Sequence, residues 1–214
     1  VEGFDLDINP HDNKYGVIEW STFIEGRSYD ENNKPTRENL QDLKFLAQRL
    51  FDENYDCILV DFKDGAGDMF KNGNALIKII QWANQNKTSD EELVVLGASM
   101  GGLLARYALR TMELEGCNPC TKLYGTFDSP HQGANVPVAL QYAIKNFTHI
   151  STMARDGYSF LYKPAAQQML MDNLTDANKV ERNKWQNHLD AIGHPQLPKR
   201  IALTNGSPNG STNA

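Results

Sequence analysis

Short apolar runs alternate along this chain with longer stretches in which apolar residues recur every three or four positions. Such runs predict strands, and such stretches predict helices. The predicted strands are 57–60, 93–96, 122–127 and 200–204, and the predicted helices are 37–53, 69–86, 103–115, 138–144, 164–172 and 178–192. The first two runs are apolar throughout, as in strands covered on both faces of a parallel sheet, so Cys57 is expected to be a small buried core residue.

This alternation predicts an α/β fold in which a mostly parallel sheet is wound with right-handed crossovers and flanked by helices. The length of 214 residues suits one domain over 1–214. Residues 148–195 break the regular alternation and are interpreted as a helical cap or lid insertion. Val1 leads into Glu2-Gly3 as the end of a strand would, and a polar stretch follows the last predicted strand. The domain is therefore expected to be incomplete at both ends, with a further segment of a longer protein, or a second chain, completing it.

The composition and charge indicate a globular domain and argue against nucleic acid as a partner. Hydrophobic residues make up 40% and charged residues 22%, which are values of a globular domain. The net charge of −6 argues against nucleic-acid binding, which needs a basic face. No apolar run approaches the roughly 20 residues that cross a bilayer, so no membrane span is expected. The first residues lack the pattern of a signal peptide, and a chain that starts at Val1 is expected to be processed or trimmed.

The chain offers weak signals for metal or redox chemistry. Cys117 and Cys120 form a CxxC motif, but a zinc site needs a second pair of ligands, and a redox motif would begin a helix rather than precede a strand. A local disulfide and two idle thiols both remain open. The acidic segments 5–12 and 61–68 do not follow the spacing of an EF-hand and are interpreted as solvated loops. We expect no metal and no cofactor.

The strongest chemical signal is the run Gly97-Ala98-Ser99-Met100-Gly101, which lies between a predicted buried strand and a predicted helix. In this setting G-x-S-x-G predicts a sharp turn with the serine at its apex, and glycines where a Cβ would clash. The Ser99 hydroxyl is then a candidate nucleophile. The amide of Met100, at the start of the helix, is a candidate donor to an oxyanion.

Three segments resemble lipase- and esterase-like α/β-hydrolases. Residues 97–108 resemble the nucleophile turn and its helix, 129–134 (Ser-Pro-His-Gln-Gly-Ala) resemble the (Ser/Thr)-Pro-His-x-Gly turn, and 2–5 resemble the oxyanion loop. The likeness points to secreted serine ester hydrolases of Bacteroidetes-type bacteria. It implies an α/β-hydrolase-type fold, carboxylic ester hydrolysis at Ser99, a second oxyanion amide from Phe4 and a location outside the cytoplasm.

A serine nucleophile needs a base, and the base needs an orienting acid. The family order is serine, acid, histidine. Asp128 ends the strand after the serine unit, as the acid does in some lipases. The commoner position, one strand later, has no acidic residue up to Ala214, so the acid is either Asp128 or lies beyond that residue.

The five histidines are His11, His131, His149, His188 and His194. None follows the last predicted strand, where the family base lies. His131 is a weak candidate base because the family histidine of that turn more often braces the loop, and one short loop would have to supply both acid and base. His188 and His194 are expected at the surface of the insertion. The leading hypothesis places the base beyond residue 214.

The insertion suggests an apolar ester, either a small molecule or a lipid or polymer. Its adaptable apolar residues could face an acyl chain or could merely pack the insertion onto the domain: Met153, Tyr158, Phe160, Leu161, Tyr162, Met169, Leu170 and Met171. Two other functions remain open, an acyltransferase or thioesterase on the same scaffold and a non-catalytic binding protein that kept the fold.

Overall fold

The computed structural model describes Val1, residues 49–176 and residues 178–205. By its internal contacts the chain divides into two units, Asn9–Asp61 and the remainder. The described part of the first unit, 49–61, begins with the end of a helix at 49–52 and a turn in which Tyr55 donates its amide to the carbonyl of Leu50. The predicted helix over 37–53 is thus seen only at its end, since the rest of it lies outside the described residues.

The second unit alternates helices and strands as the sequence predicts. Its elements in chain order are α1 (Met69–Asn86), β1 (Leu93–Ala98), α2 (Met100–Leu114), β2 (Thr121–Phe127), α3 (Val138–Phe147), α4 (Thr152–Phe160), α5 (Pro164–Met169), α6 (Val180–Ile192) and β3 (Lys199–Leu203). α1 begins at Asp68, whose carboxylate accepts from the amide of Lys71. α2 ends before Gly116, which takes a positive φ of 75°.

The three strands form one parallel sheet in the order β1-β2-β3. Val1 makes two hydrogen bonds on the other edge of β1, donating to Leu96 and accepting from Ala98. These bonds follow the pattern of a parallel pair. The predicted parallel α/β architecture is confirmed to this extent, as a three-stranded sheet flanked by helices.

The core lies between one face of the sheet and the helices α1, α2 and α6. α2 is buried almost all round because it contacts the sheet on one side and α1 and α6 on others. Phe70 of α1, Tyr107 of α2 and Trp185 of α6 meet as a cluster of aromatic rings, with centroids 4.8–5.7 Å apart. Such contacts fix α6 to the two helices beneath it.

Two arginines of α2 hold the C-terminal end of α6. Arg106 is buried and donates to the carbonyls of Leu189 at 2.7 Å and Gly193 at 2.9 Å. Arg110 donates to the carbonyl of Ile192 at 2.7 Å. The last carbonyls of a helix lack partners within the helix and carry partial negative charge, so guanidinium groups satisfy both needs.

Among the described helices, none covers the opposite face of the sheet. Apolar side chains on this face are exposed in all three strands: Val94, Phe127, Ile201 and Leu203. For 93–96, the expected cover is confirmed on the face of Val95, and the described residues supply no helix on the face of Val94. Unbroken apolar runs do not distinguish the two cases when only one face receives helices.

The run 57–60 does not form a strand. Ile58 and Leu59 are exposed, and no partner strand pairs with this described segment. A strand requires hydrogen bonds from a neighbour, which an apolar run alone cannot guarantee. Cys57 is half-buried rather than a core residue, and burial, followed by the charge of Asp56, raises the pKa of its thiol.

The insertion attaches to the body of this unit through α5 and the residues around it. Leu161, Ala166 and Leu170 form a small apolar cluster against Ala134 and Val136. The buried side-chain amide of Gln168 accepts from the amide of Met69 and donates to Asp68 at the start of α1. α5 and α6 are thus packed into the body, whereas α3 and α4 contact mainly each other.

Candidate active site

The three strands end at one level, and each is followed by a polar side chain. Ala98, Phe127 and Leu203 are register partners, so Ser99, Asp128 and Thr204 come next in adjacent strands. The ladder continues one step further, because Ser99 donates its amide to Phe127 at 2.8 Å and Asp128 donates its amide to Leu203 at 2.7 Å. The carboxyl edge of a parallel sheet is where active sites of α/β proteins form.

Ser99 stands on a sharp turn between β1 and α2. Its φ of 49° and ψ of −120° lie outside the regions that most residues adopt, at a cost of about 1–3 kcal/mol. The turn is close-packed, since a Cβ on Gly97 would lie 2.5 Å from backbone atoms of Gly101 and Gly102. The sequence prediction of a strained strand-to-helix turn with serine at its apex is confirmed.

Gly102 and Tyr124 complete the support of the turn. A Cβ on Gly102 would lie 2.1 Å from Oγ of Ser129, in the loop after β2. The buried phenol of Tyr124 donates to the carbonyl of Gly102 at 2.7 Å. Sequence reasoning named the turn that begins at Ser129 but not its contact with Gly102, and it missed Tyr124, because these contacts connect residues more than 20 positions apart. For Tyr124, the available signal was its position in a predicted strand.

Ser99 is half-buried, and its hydroxyl has no hydrogen-bond partner among the described residues. The side chain is thus reachable from solvent and free to bond to another group. Met100 is the first residue of α2, where backbone amides lack partners within the helix. Its amide is therefore available beside Ser99, as the sequence predicts. Phe4, the second expected oxyanion donor, lies outside the described residues.

Asp128 is exposed at the end of β2 and has a positive φ of 47°. Its carboxylate accepts a hydrogen bond of 3.0 Å from the hydroxyl of Thr204. The structure therefore brings Asp128 next to the Ser99 turn, one strand away. Thr204 was not singled out from the sequence, although its place one residue after a predicted strand gave the signal.

His131 faces a different part of the molecule. It lines a cleft of about 260 Å³ with Tyr124, Thr126, His194 and residues 200–202 of β3. It makes no hydrogen bond to Ser99 or Asp128, and its Nδ1 is buried without a partner among the described residues. Burial, then the positive charges of Arg106 and His194, lower the pKa of His131 to about 4. A group of such low basicity is a poor acceptor for a serine proton.

The loop that carries His131 is held by α6. Arg182 donates to the carbonyl of Gln132 at 2.6 Å, and Gln186 donates to the carbonyl of His131 at 3.4 Å. The ring of His131 lies edge-on to that of His194, with centroids 5.4 Å apart. These contacts fit the bracing role that the resemblance implies for the histidine of this turn.

The other described histidines make no hydrogen bond or ring contact with the serine turn. His149 is exposed between α3 and α4. His188 and His194 are half-buried, so the expectation of surface positions is wrong. His188 packs against Phe70 and Tyr107, and burial lowers its pKa, because α6 lies in the body instead of over it. His11 lies outside the described residues.

The described residues contain no cluster of three or more side chains suited to a metal ion. Cys117 is exposed and Cys120 half-buried, and both are free thiols in the turn before β2. Of the insertion residues expected to face an acyl chain, Leu161, Met169 and Leu170 are buried in packing contacts, whereas Met153, Tyr162 and Met171 are exposed. Tyr158 and Phe160 are half-buried.

Within the described ranges, no helix has the length and apolar character needed to cross a bilayer. No protein-family model matches the chain, and no match to it was found among the curated proteins or the solved structures.

Proposed function

We propose that this chain is a serine hydrolase that cleaves carboxylic esters through an acyl-enzyme at Ser99, on a fold of the α/β-hydrolase type. The observation that carries the proposal is the backbone of Ser99, with φ 49° and ψ −120° between a parallel strand and the helix that follows it. Backbone strain of this kind is maintained only where the surroundings impose it, and it concentrates at functional sites. Here Gly97 and Gly102 allow the close packing that imposes it.

The chemistry requires three groups around Ser99. A base removes the hydroxyl proton, Oγ attacks the carbonyl carbon of the ester, and the developing oxyanion accepts from the amide of Met100 and a second amide, assigned to Phe4. The carbon–oxygen bond to the alcohol then breaks, and the alcohol leaves with the proton. Water, activated by the same base, cleaves the acyl group from Oγ and restores the serine.

Asp128 is the proposed orienting acid. It follows the strand next to that of Ser99 and is exposed at the same edge of the sheet. Its Oδ1 accepts a hydrogen bond from the hydroxyl of Thr204. Its carboxylate retains capacity to accept from an imidazole. The base is assigned to none of the four described histidines, since none of them bonds to Ser99 or Asp128. It is proposed to be a histidine other than these.

Labelling with a fluorophosphonate tests the nucleophile. We expect covalent labelling of the wild type at Ser99, none in Ser99→Ala, and unchanged labelling in the matched control Ser159→Ala, an exposed serine whose hydroxyl donates to the carbonyl of Asp156. Labelling that persists in Ser99→Ala would disprove the assignment. A folded wild type without labelling would favour the non-catalytic binding protein.

Product analysis with a short-chain p-nitrophenyl ester separates the enzymatic alternatives. Hydrolysis gives free acid even when a primary alcohol is added as a competing acceptor. An acyltransferase gives mainly the new ester under the same conditions, which would contradict the proposed reaction while preserving the role of Ser99. A thioester substrate turned over much faster than its oxygen ester would favour the thioesterase.

A further inference from the structure

The turn between α3 and α4 presents apolar side chains to solvent. The exposed fractions are 54% for Phe147, 79% for Ile150 and 81% for Met153. The turn is nevertheless well formed, since the amides of Ile150 and Ser151 both donate to the carbonyl of Phe147. The Ser151 hydroxyl also accepts from the amide of Ala154 at the start of α4. We call the segment 145–155 the hairpin tip.

The helices behind the hairpin tip have little apolar attachment to the body. Gln141 is the one fully buried residue of α3, and α4 has none. Gln141 fixes α3 by polar bonds, donating to the carbonyls of Val136 and Asp172 and accepting from the amide of Leu174. Leu140 and Tyr142 of α3 are likewise more than half exposed. Exposed apolar side chains concentrated in one segment mark an interaction surface.

The charge of this region is opposite to that of the chain. Over 138–163 the charged residues are Lys145, Arg155, Lys163 and the single acid Asp156, whereas the whole chain carries −6. Lys145 and Arg155 are exposed on either side of the apolar tip. Basic residues that flank exposed apolar side chains suit a partner whose outer layer is anionic and whose interior is apolar, as in an anionic lipid bilayer.

Two tyrosines extend the same surface. Tyr158 and Tyr162 pack edge-to-face with centroids 5.6 Å apart, and Lys145 lies 5.9 Å from the centre of the Tyr158 ring. Tyrosine combines an apolar ring with a polar hydroxyl and favours the boundary between lipid and water. Charge, apolar exposure and tyrosine content therefore point to the same partner.

We propose that the hairpin tip docks this chain onto an anionic lipid surface. Phe147, Ile150 and Met153 enter the boundary between headgroups and acyl chains, while Lys145 and Arg155 contact headgroup phosphates. The proposal does not depend on the chemistry at Ser99, because binding is measured without a reaction. It concerns peripheral binding, with the body of the protein remaining in water.

Vesicle sedimentation tests the proposal. We expect the chain to bind vesicles of phosphatidylcholine mixed with phosphatidylglycerol, and to bind pure phosphatidylcholine at least about tenfold more weakly. Raising the salt concentration should weaken the binding because it screens the charges. Equal binding to both vesicles, or binding to neither, would overturn the proposal.

Variants locate the binding surface. Lys145→Gln with Arg155→Gln should weaken binding about 25-fold, at about fivefold for each charge, while Lys71→Gln with Lys78→Gln, exposed lysines of α1, should leave it unchanged. Ile150→Ser with Met153→Ser should weaken it about tenfold or more. The matched control is Leu114→Ser with Leu197→Ser, at 56% and 62% exposure outside the hairpin tip. Controls that weaken binding as much as the tip variants would overturn the assignment.

One variant should strengthen binding. Asp156→Asn removes the acid closest to the hairpin tip and should tighten binding to anionic vesicles severalfold, which a misfolded variant would not do. Weaker or unchanged binding would contradict the role of charge. Sedimentation equilibrium without lipid distinguishes a second copy of the chain as the occupant. A dimer that Ile150→Ser with Met153→Ser dissociates would replace the lipid proposal.

Discussion

The backbone amide of Ser99 donates a 2.8 Å hydrogen bond to the carbonyl oxygen of Phe127, one residue beyond the last register pair of β1 and β2. The sheet therefore continues to hold the chain at the residue where its direction changes. Phe127 is itself followed by Asp128, whose amide bonds to Leu203 in the same manner. The positions of the serine and the carboxylate are thus fixed by the same ladder.

Gly97→Ala should disrupt the serine turn. The new Cβ would lie 2.5 Å from the backbone of Gly101 and Gly102, and backbone cannot move aside cheaply. We expect a loss of about 1–3 kcal/mol in the free energy of unfolding, measured by urea denaturation, with a larger proportional loss of fluorophosphonate labelling. Gly157→Ala is the matched control. Its Cβ would meet Ile144 at an ordinary 3.6 Å, and alanine favours the helix, so stability should hold or rise.

Gly102→Ala should be rescued by a change in the neighbouring loop. The new Cβ would collide with Ser129, whose Oγ would lie only 2.1 Å away. We expect the single variant to lose about 1–3 kcal/mol of stability and Gly102→Ala with Ser129→Gly to recover at least about 1 kcal/mol of it. Denaturation of both singles and the double variant gives the coupling. Strict additivity would show that these residues do not meet.

Arg106→Gln should destabilise the protein by about 2–4 kcal/mol. It removes the guanidinium donors from two carbonyls at the end of α6, leaving that of Leu189 with the amide of Gly193 alone and the half-buried carbonyl of Gly193 without the arginine. Arg106→Lys should restore little, because an ammonium group cannot reproduce the two directions of the guanidinium. Arg49→Gln, which breaks an exposed ion pair with Glu53, should cost less than about 1 kcal/mol. Equal losses at Arg106 and Arg49 would contradict the helix-end role.

His131 should make the protein less stable in mild acid. Its pKa is about 4 in the folded chain and about 6.5 when unfolded, so the unfolded chain binds a proton first. The contribution of this group is complete above about pH 6.5 and is lost as the pH falls towards about 4. It amounts to about 1–2 kcal/mol, after allowance for partial exposure. Unfolding at several pH values checks it.

The difference between the wild type and His131→Gln isolates this contribution from other titrating groups. The variant should lose less stability between about pH 6.5 and 4 than the wild type does. His149→Gln, at an exposed position between α3 and α4, should follow the wild-type pH dependence. If His131→Gln also follows the wild-type pH dependence, protonation of the buried His131 ring does not cause the loss of stability in acid.

Local signals predicted much of this structure. The apolar stripe with Leu76, Ile80 and Ala83 predicted α1 over its observed bounds, because helical spacing acts within a few residues, although the capping role of Asp68 was not predicted. The Ser99 turn was equally predictable, since the glycine spacing and the change from a strand pattern to a helix pattern are local features of the sequence. These features constrain the backbone whatever the rest of the chain does.

Long-range contacts could not be predicted in this way. Arg106 reads as an ordinary exposed helix residue until its partners, 83 and 87 positions later, are known. His188 was expected at the surface because a helix pattern does not say which element it meets. The run 57–60 has the composition of a strand, but strand formation depends on a neighbour, and no composition supplies one.

The hydrogen bonds from Arg106 and Arg110 of α2 to the end of α6 affect the order in which the chain folds. Arg106 lies in the helix that follows Ser99, and the carbonyls to which it donates lie more than eighty residues later in the chain. During synthesis, these hydrogen bonds cannot form until Gly193 has left the ribosome. Contacts of such long sequence separation slow folding, since the intervening loop must be ordered first. The packing of α6 onto α2 is therefore completed only after Gly193 has been synthesised.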